Sequence, residues 1–82
     1  SAGPSPSRIE RAQSEFDRAS KSLVEAGAEC ATLCKALASM QRSAEALCGL
    51  AKDGEASDKR RCTDARKKVE AATAKVKASC SC

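Results

Sequence analysis

The sequence has no histidine, tryptophan or tyrosine, and its one phenylalanine is Phe16. Without histidine it lacks the side chain that most often serves as a general base near neutral pH and as a metal ligand. Without several aromatic rings it cannot form a platform on which the bases of a nucleic acid stack. Histidine-dependent catalysis, histidine metal sites and aromatic nucleic-acid binding are therefore excluded.

Large apolar residues are also scarce. The hydrophobic fraction is 41%, but 17 of these residues are Ala and 6 are Cys, which leaves five Leu, three Val and one each of Ile, Met and Phe. In a chain of 82 residues a core alone rarely supplies more than about 3–5 kcal/mol, and small domains of this kind usually need covalent staples. No stretch approaches the roughly 20 apolar residues of a membrane span, so we expect no transmembrane segment.

Residues 1–7 contain two prolines and no charged or large apolar residue. Such a segment neither continues a helix nor buries itself, and it lacks the basic start and apolar run of a signal peptide. The sequence therefore predicts a disordered leader over residues 1–7 and a single helical domain over residues 8–82.

Apolar residues then recur with heptad spacing, which predicts helices. One set of positions holds Ile9, Phe16, Leu23, Cys30, Leu37, Ala44 and Ala51, and the other holds Ala12, Ala19, Ala26, Leu33, Met40 and Leu47. This register stops at the polar segment 52–57, where we expect a turn with Ser57 as the N-cap of the following helix. A further seam follows it, made of Cys62, Val69 and Val76 with Ala65 and Ala72.

Gly27 is the one internal interruption of the first register. If the chain reverses there, Ile9 lies opposite Leu47 and Phe16 opposite Met40, so that the largest side chains meet. The sequence therefore favours an all-α, disulfide-stapled three-helix bundle with helices over about 8–26, 29–52 and 58–79. The alternative is a long helical hairpin that dimerises, whereas the bundle is expected to be a monomer.

All six cysteines lie in the second and third helices or just after the third. In an antiparallel hairpin, the residue numbers of two facing residues add up to a nearly constant value. This rule predicts the nested pairs Cys48–Cys62, Cys34–Cys80 and Cys30–Cys82. The variant with Cys30–Cys80 and Cys34–Cys82 fits the rule almost as well and stays open. Three disulfides predict an oxidising, extracytoplasmic location: secreted, periplasmic or associated with the cell envelope.

A thiolate metal site is the alternative use of the cysteines. Four of them converge at one end of the predicted hairpin and would suit zinc or Cu(I): Cys30, Cys34, Cys80 and Cys82. This alternative leaves Cys48 and Cys62 unexplained. The disulfide prediction uses all six, so we expect no metal and no other cofactor.

Positive charge is concentrated in the third helix. Residues 57–82 contain eight basic and three acidic residues, whereas the rest of the chain has seven and eight. The candidate partner-binding residues are Arg61, Lys68 and Lys75, which repeat every seven residues, together with Arg66 and Lys67. The commonest explanation of such a helix is that its charged side is simply exposed to solvent. The functional alternative is that this side is a docking surface for an acidic protein or an anionic surface.

Other function classes have less support. No nucleophile, base and orienting group form a recognisable set, and no Cys-x-x-Cys is present, so we predict no enzymatic activity. Nucleic-acid binding is disfavoured because no known binding motif accompanies the basic helix. A cationic, membrane-active helical peptide is a further alternative, although an apolar face made mostly of alanine would insert weakly.

The segments Ser39–Cys48, Arg61–Val69 and Val76–Cys80, separated by the polar turn, resemble small cysteine-bearing helical domains. Such domains occur in uncharacterised secreted or lipoprotein-type proteins of bacterial cell envelopes. The resemblance covers residues 30–82 at most. It implies an envelope location and carries no activity with it.

Overall fold

Three α-helices make up most of the computed structural model, which describes residues 7–82. They are α1 (Arg8–Glu25), α2 (Cys30–Ala51) and α3 (Ala56–Ser79). The predicted all-α three-helix bundle is confirmed, and every helix begins and ends within two residues of its predicted bounds. The long helical hairpin is wrong, because α1 and α2 are separate helices.

The reversal between α1 and α2 depends on the backbone at Gly27. Its φ is 60°, in the left-handed region that glycine adopts without the steric penalty of a Cβ atom. The Ala26 N–H donates to the Ser22 carbonyl at the end of α1, and the Glu29 N–H donates to the Ala26 carbonyl at 3.1 Å. Gly27 thus occupies the position after the last helical residues at which glycine commonly ends a helix.

Ser7 is the N-cap of α1 and does not belong to a disordered leader. Its hydroxyl oxygen accepts a hydrogen bond from the Glu10 N–H at 3.2 Å, which satisfies one of the unpaired donors of the first turn. The rest of the predicted leader, residues 1–6, lies outside the residues that the structure describes.

Carboxylates cap the other two helices. Glu29 is the N-cap of α2; its side chain accepts from the Thr32 N–H at 2.7 Å and is also hydrogen bonded to the Thr32 hydroxyl. The hydrogen bond to the Thr32 side chain, followed by that to the Thr32 backbone, lowers the pKa of Glu29 below its ordinary value. This short polar contact fixes where α2 begins.

The prediction that Ser57 caps α3 is wrong. The N-cap is Glu55, whose backbone N–H donates to the Asp58 carboxylate at 3.2 Å. Residue type alone favours Ser57, but Asp58 reaches back to the earlier residue and also suits the positive end of the helix dipole. The helix therefore begins at Ala56.

A single buried cluster unites the three helices. Its most deeply buried large side chains are Phe16 from α1, Leu47 from α2 and Val76 from α3. Leu23, Leu33 and Met40 belong to the same cluster, and Ile9 is partly buried at its edge. The large side chains of the first register thus meet in the core, as the reversal at Gly27 predicts.

Helix α2 lies in the middle of the bundle. It packs closely against both neighbours, whereas α1 and α3 barely contact each other. The Cα trace consequently measures 47 × 26 × 14 Å, a flattened shape in which the sides of α2 open into two grooves. Over the described residues, no helix is both long and apolar enough to cross a membrane.

Candidate functional site

The Cys48–Cys62 disulfide joins α2 to α3 near the turn between them, as predicted. The two Cα atoms are 4.7 Å apart, within the range that a disulfide spans. Both cysteines are half-buried, and they line the groove between the two helices. The disulfide therefore fixes the separation of α2 and α3 at this end of the groove.

The other four cysteines meet at the opposite end of α2 and α3, and their predicted pairing is wrong. The structure joins Cys30 to Cys80 and Cys34 to Cys82, with Cα separations of 5.5 Å and 5.6 Å. The predicted pairs were Cys30–Cys82 and Cys34–Cys80. The observed pairs are the variant that the residue numbers left open.

The physical reason is that the constant-sum rule holds only where both residues are helical. Cys80 is the C-cap of α3, so the helix still places it, and its pairing with Cys30 has the same sum as the pairing of Cys48 with Cys62. At that cap the backbone leaves the helix, with φ −134° and ψ 151° at Cys80, and Ser81 and Cys82 are not helical. Cys82 is therefore free of the helical register and reaches Cys34, one turn along α2 from Cys30.

The four cysteines proposed as alternative metal ligands do come together, but as two disulfides. Every cysteine of the chain is paired, and disulfide sulfur lacks the thiolate charge that binds zinc or Cu(I). Within residues 7–82 no cluster of three or more acidic, cysteine or histidine side chains could hold a metal ion. The geometry therefore does not support the metal alternative for the oxidised protein.

Three of the five candidate partner-binding residues form one line on α3, here called the basic stripe: Arg61, Lys68 and Lys75. Residues seven apart are about 10 Å apart along a helix and drift by only about 20° around it. Lys68 and Lys75 are exposed, and Arg61 is half-buried. The basic stripe thus presents three cations over about 21 Å.

Arg66 and Lys67 lie on other sides of α3. Arg66 is two residues before Lys68, about 200° around the helix, and it lines the groove between α2 and α3. Lys67 is exposed and lies about 200° from the buried Ala65, on the outer side of the helix. The five residues therefore do not form one surface.

The groove between α2 and α3, here called the disulfide groove, is a feature that the sequence reasoning missed. Its volume is about 700 Å³. Its floor contains the Cys48–Cys62 disulfide and three apolar side chains, and its edges carry three cations. The apolar residues are Ala44, Ala51 and Val69, and the cations are Lys52, Lys59 and Arg66.

A sequence signal for this groove exists. Lys59 and Arg66 are seven residues apart and lie on the side of α3 to which Cys62 belongs. Finding the groove from this signal requires knowing which side of α3 faces away from α1, and that rotation is set by tertiary packing. Lys52 joins them from α2, across the turn.

A second groove of about 720 Å³ lies between α1 and α2. It also has three cations and one carboxylate: Arg18, Lys35, Arg42 and Glu15. Hydroxyl groups line much of it, and the Arg42 guanidinium donates to the Ser39 hydroxyl at 3.4 Å. The two grooves therefore differ less in charge than in the apolar character of their floors.

The disulfides, the basic stripe and the two grooves are the features from which a function can be argued. No protein-family model, no curated protein and no solved structure matches this chain. A function for this chain therefore has to be inferred from the chemistry of these surfaces.

Proposed function

We propose that this chain is a non-enzymatic binding module of an oxidising, extracytoplasmic compartment, and that its third helix holds an acidic protein or an anionic surface. The observation that carries the proposal is the concentration of charge. Residues 57–82 hold eight of the fifteen basic residues of the chain and only three of its eleven acidic residues. Lys68 and Lys75 of the basic stripe are exposed and available to a partner.

The compartment is proposed from the cysteines. Three disulfides in a chain of 82 residues are typical of proteins that fold outside the reducing cytosol. The resemblance of residues 30–82 to helical domains of bacterial envelope proteins supports the same location. Secretion, the periplasm and the cell envelope all fit.

The basic stripe would act through several weak contacts. An exposed ion pair contributes at most about 1 kcal/mol, and salt screens it over a distance of about 8 Å at physiological ionic strength. Cations spaced about 10 Å apart on a rigid helix can each meet a separate acidic group. Binding should therefore require more than one cation and weaken as salt rises.

Binding to immobilised poly-L-glutamate tests this proposal. The protein should bind at low salt and be released as salt rises, and the double variant Lys68→Glu with Lys75→Glu should lose at least about tenfold in affinity. The matched control is Arg11→Glu with Lys21→Glu, which changes the net charge equally at exposed positions of α1. The control should retain most of the binding.

Equal losses in the two variants would show that net charge alone binds the polymer, and unchanged binding in the Lys68 and Lys75 variant would remove the stripe. Vesicles that contain phosphatidylglycerol test the membrane-active alternative. Because the large apolar side chains are mostly buried in the core, we expect no release of vesicle contents at micromolar protein. Release would favour that alternative.

A further inference from the structure

We infer that the disulfide groove binds an acidic amphipathic helix of a partner protein. The inference rests on the proposed function, since it uses the same basic helix. It moves the main contact from the basic stripe to another side of α3 and names the form of the partner.

The groove has the length of a short helix. On α2 it extends from Gln41 to Lys52, and on α3 from Lys59 to Val69. At 1.5 Å per residue these segments are about 15–17 Å long, which equals three turns of a helix lying beside them. Helix α1 covers the other side of α2, so a helix in this groove would add a fourth member to the bundle.

Gly49 lines the same groove. It lies within α2, where glycine is less favourable than alanine because its unfolded backbone is freer. Its backbone conformation is helical, and a Cβ atom added there would meet nothing within 4 Å. The fold itself therefore gives no reason for a glycine at this position.

A close neighbour from outside the chain does give a reason. Gly49 is exposed and lines the disulfide groove between Glu45 and Lys52, one turn of α2 on either side. A residue without a side chain lets another backbone approach closely. The space that a Cβ atom of residue 49 would take is open, and it lies next to Cys48 in the lining of the groove.

The charges decide the chemistry of the occupant. Three cations, Lys52, Lys59 and Arg66, stand at the edges of the groove, and Glu45 is its one acidic residue. The floor is apolar and built mostly from small groups, including Ala44 and Ala51. A helix with small apolar residues on one side and carboxylates along both flanks is complementary to this arrangement.

The groove between α1 and α2 is the natural comparison. It carries as many cations, but its walls are rich in hydroxyl groups, and Arg42 is already engaged by Ser39. No glycine lines it. The disulfide groove is therefore the one suited to an apolar helix face.

Selection from two peptide display libraries tests the inference with the oxidised protein. Both libraries present amphipathic helical peptides of about 18 residues with Ala, Ser, Leu or Val on one face. One carries Glu on the flanks, and the other carries Lys. The acidic library should yield binders that the basic library does not.

Binding of a selected peptide to variants then locates the contact. Lys52→Glu with Arg66→Glu should lose at least about tenfold in affinity, whereas Arg18→Glu with Lys35→Glu, an equal charge change in the other groove, should lose less than about twofold. Gly49→Ala should raise the melting temperature by a few degrees, about 2–8 °C, and yet weaken peptide binding. A purely structural glycine would not separate these two readouts.

Three results would overturn the inference. They are no enrichment of the acidic library, binding that Lys52→Glu with Arg66→Glu leaves unchanged, and sedimentation of the protein alone as a dimer that Gly49→Phe dissociates. The last result would assign the groove to a second copy of this chain. If peptide binding depends only on Lys68 and Lys75, binding in the disulfide groove is wrong and the proposed role of the basic stripe stands. If the protein does not bind poly-L-glutamate but does bind the peptides, the basic stripe is wrong and binding in the groove stands.

Discussion

The two interfaces of α2 are stabilised by different interactions. Against α1 it packs large apolar side chains: Phe16 and Leu23 belong to the same buried cluster as Leu33, Met40 and Leu47 of α2. Against α3 it meets a helix whose only buried residues are Ala65, Ala72 and Val76. Three disulfides join this second interface, and none joins the first.

The difference shows that a chain with few large apolar residues can use hydrophobic packing at one interface and disulfides at the other. The hydrophobic contacts are concentrated in the interface without a covalent bond, and the disulfides lie in the one to which the helix packed against α2 contributes fewer large apolar side chains. Because α3 is held by disulfides, most of its surface can be polar and basic without loss of the fold. The same arrangement makes α1 depend on a few side chains.

Reduction of all three disulfides should lower the stability of the protein more than any of the substitutions considered below. The loop between Cys48 and Cys62, with a separation of 14 residues, alone accounts for about 3 kcal/mol in the chain-entropy model, out of a total of order 5–15 kcal/mol. We expect loss of helical circular dichroism at 25 °C after reduction. Alkylation and intact mass should detect six thiols after reduction and none before it, and a reduced protein that melts like the oxidised one would contradict the role of the disulfides.

Phe16→Ala tests the other interface and should have the next largest effect. Truncation of a fully buried Phe costs about 3–5 kcal/mol, and Phe16 is 1% exposed. Thermal unfolding should show a lower melting temperature, and hydrogen exchange should show that α1 loses protection before α2 and α3. Phe16→Leu, which keeps most of the volume, is the control and should retain most of the stability.

Gly27→Ala should destabilise the turn that joins α1 to α2. A Cβ atom at φ 60° costs about 1–2 kcal/mol, since this is the left-handed region. The melting temperature should fall by roughly 4–16 °C for a domain of this size. Gly49→Ala is the matched control, because it should shift the melting temperature upwards; a decrease there would contradict the open space found at Gly49.

The capping carboxylate of Glu29 should give the smallest effect. Its pKa is lowered in the folded protein by its hydrogen bonds to Thr32. Its contribution is therefore fully present above the pKa of the unfolded chain and is lost as pH falls through the lower, folded-state pKa. The difference in melting temperature between the protein and Glu29→Gln should be present at pH 7 and shrink at acidic pH, and a difference that grows on acidification would contradict the assignment.

Much of this architecture could be predicted from the residues alone. The heptad positions of Ile9, Phe16 and Leu23, with Gly27 after them, predict the helix reversal, and the numbers of Cys48 and Cys62 predict their disulfide. The pairing of Cys82 could not be predicted, because α3 ends at Ser79 and no helical period applies to Cys82. The disulfide groove also escaped prediction, because it depends on the rotation of α3 against α2.

In this structure α2 and α3 form a covalently held unit on which α1 is packed by apolar contacts alone. Native-state hydrogen exchange of the oxidised protein, measured for each backbone amide, is the sharpest test of this division. We expect the amides of α1 to exchange through an opening of lower free energy than those of α2 and α3. Exchange of α1 and α3 through one common opening, or loss of α3 before α1, would contradict it.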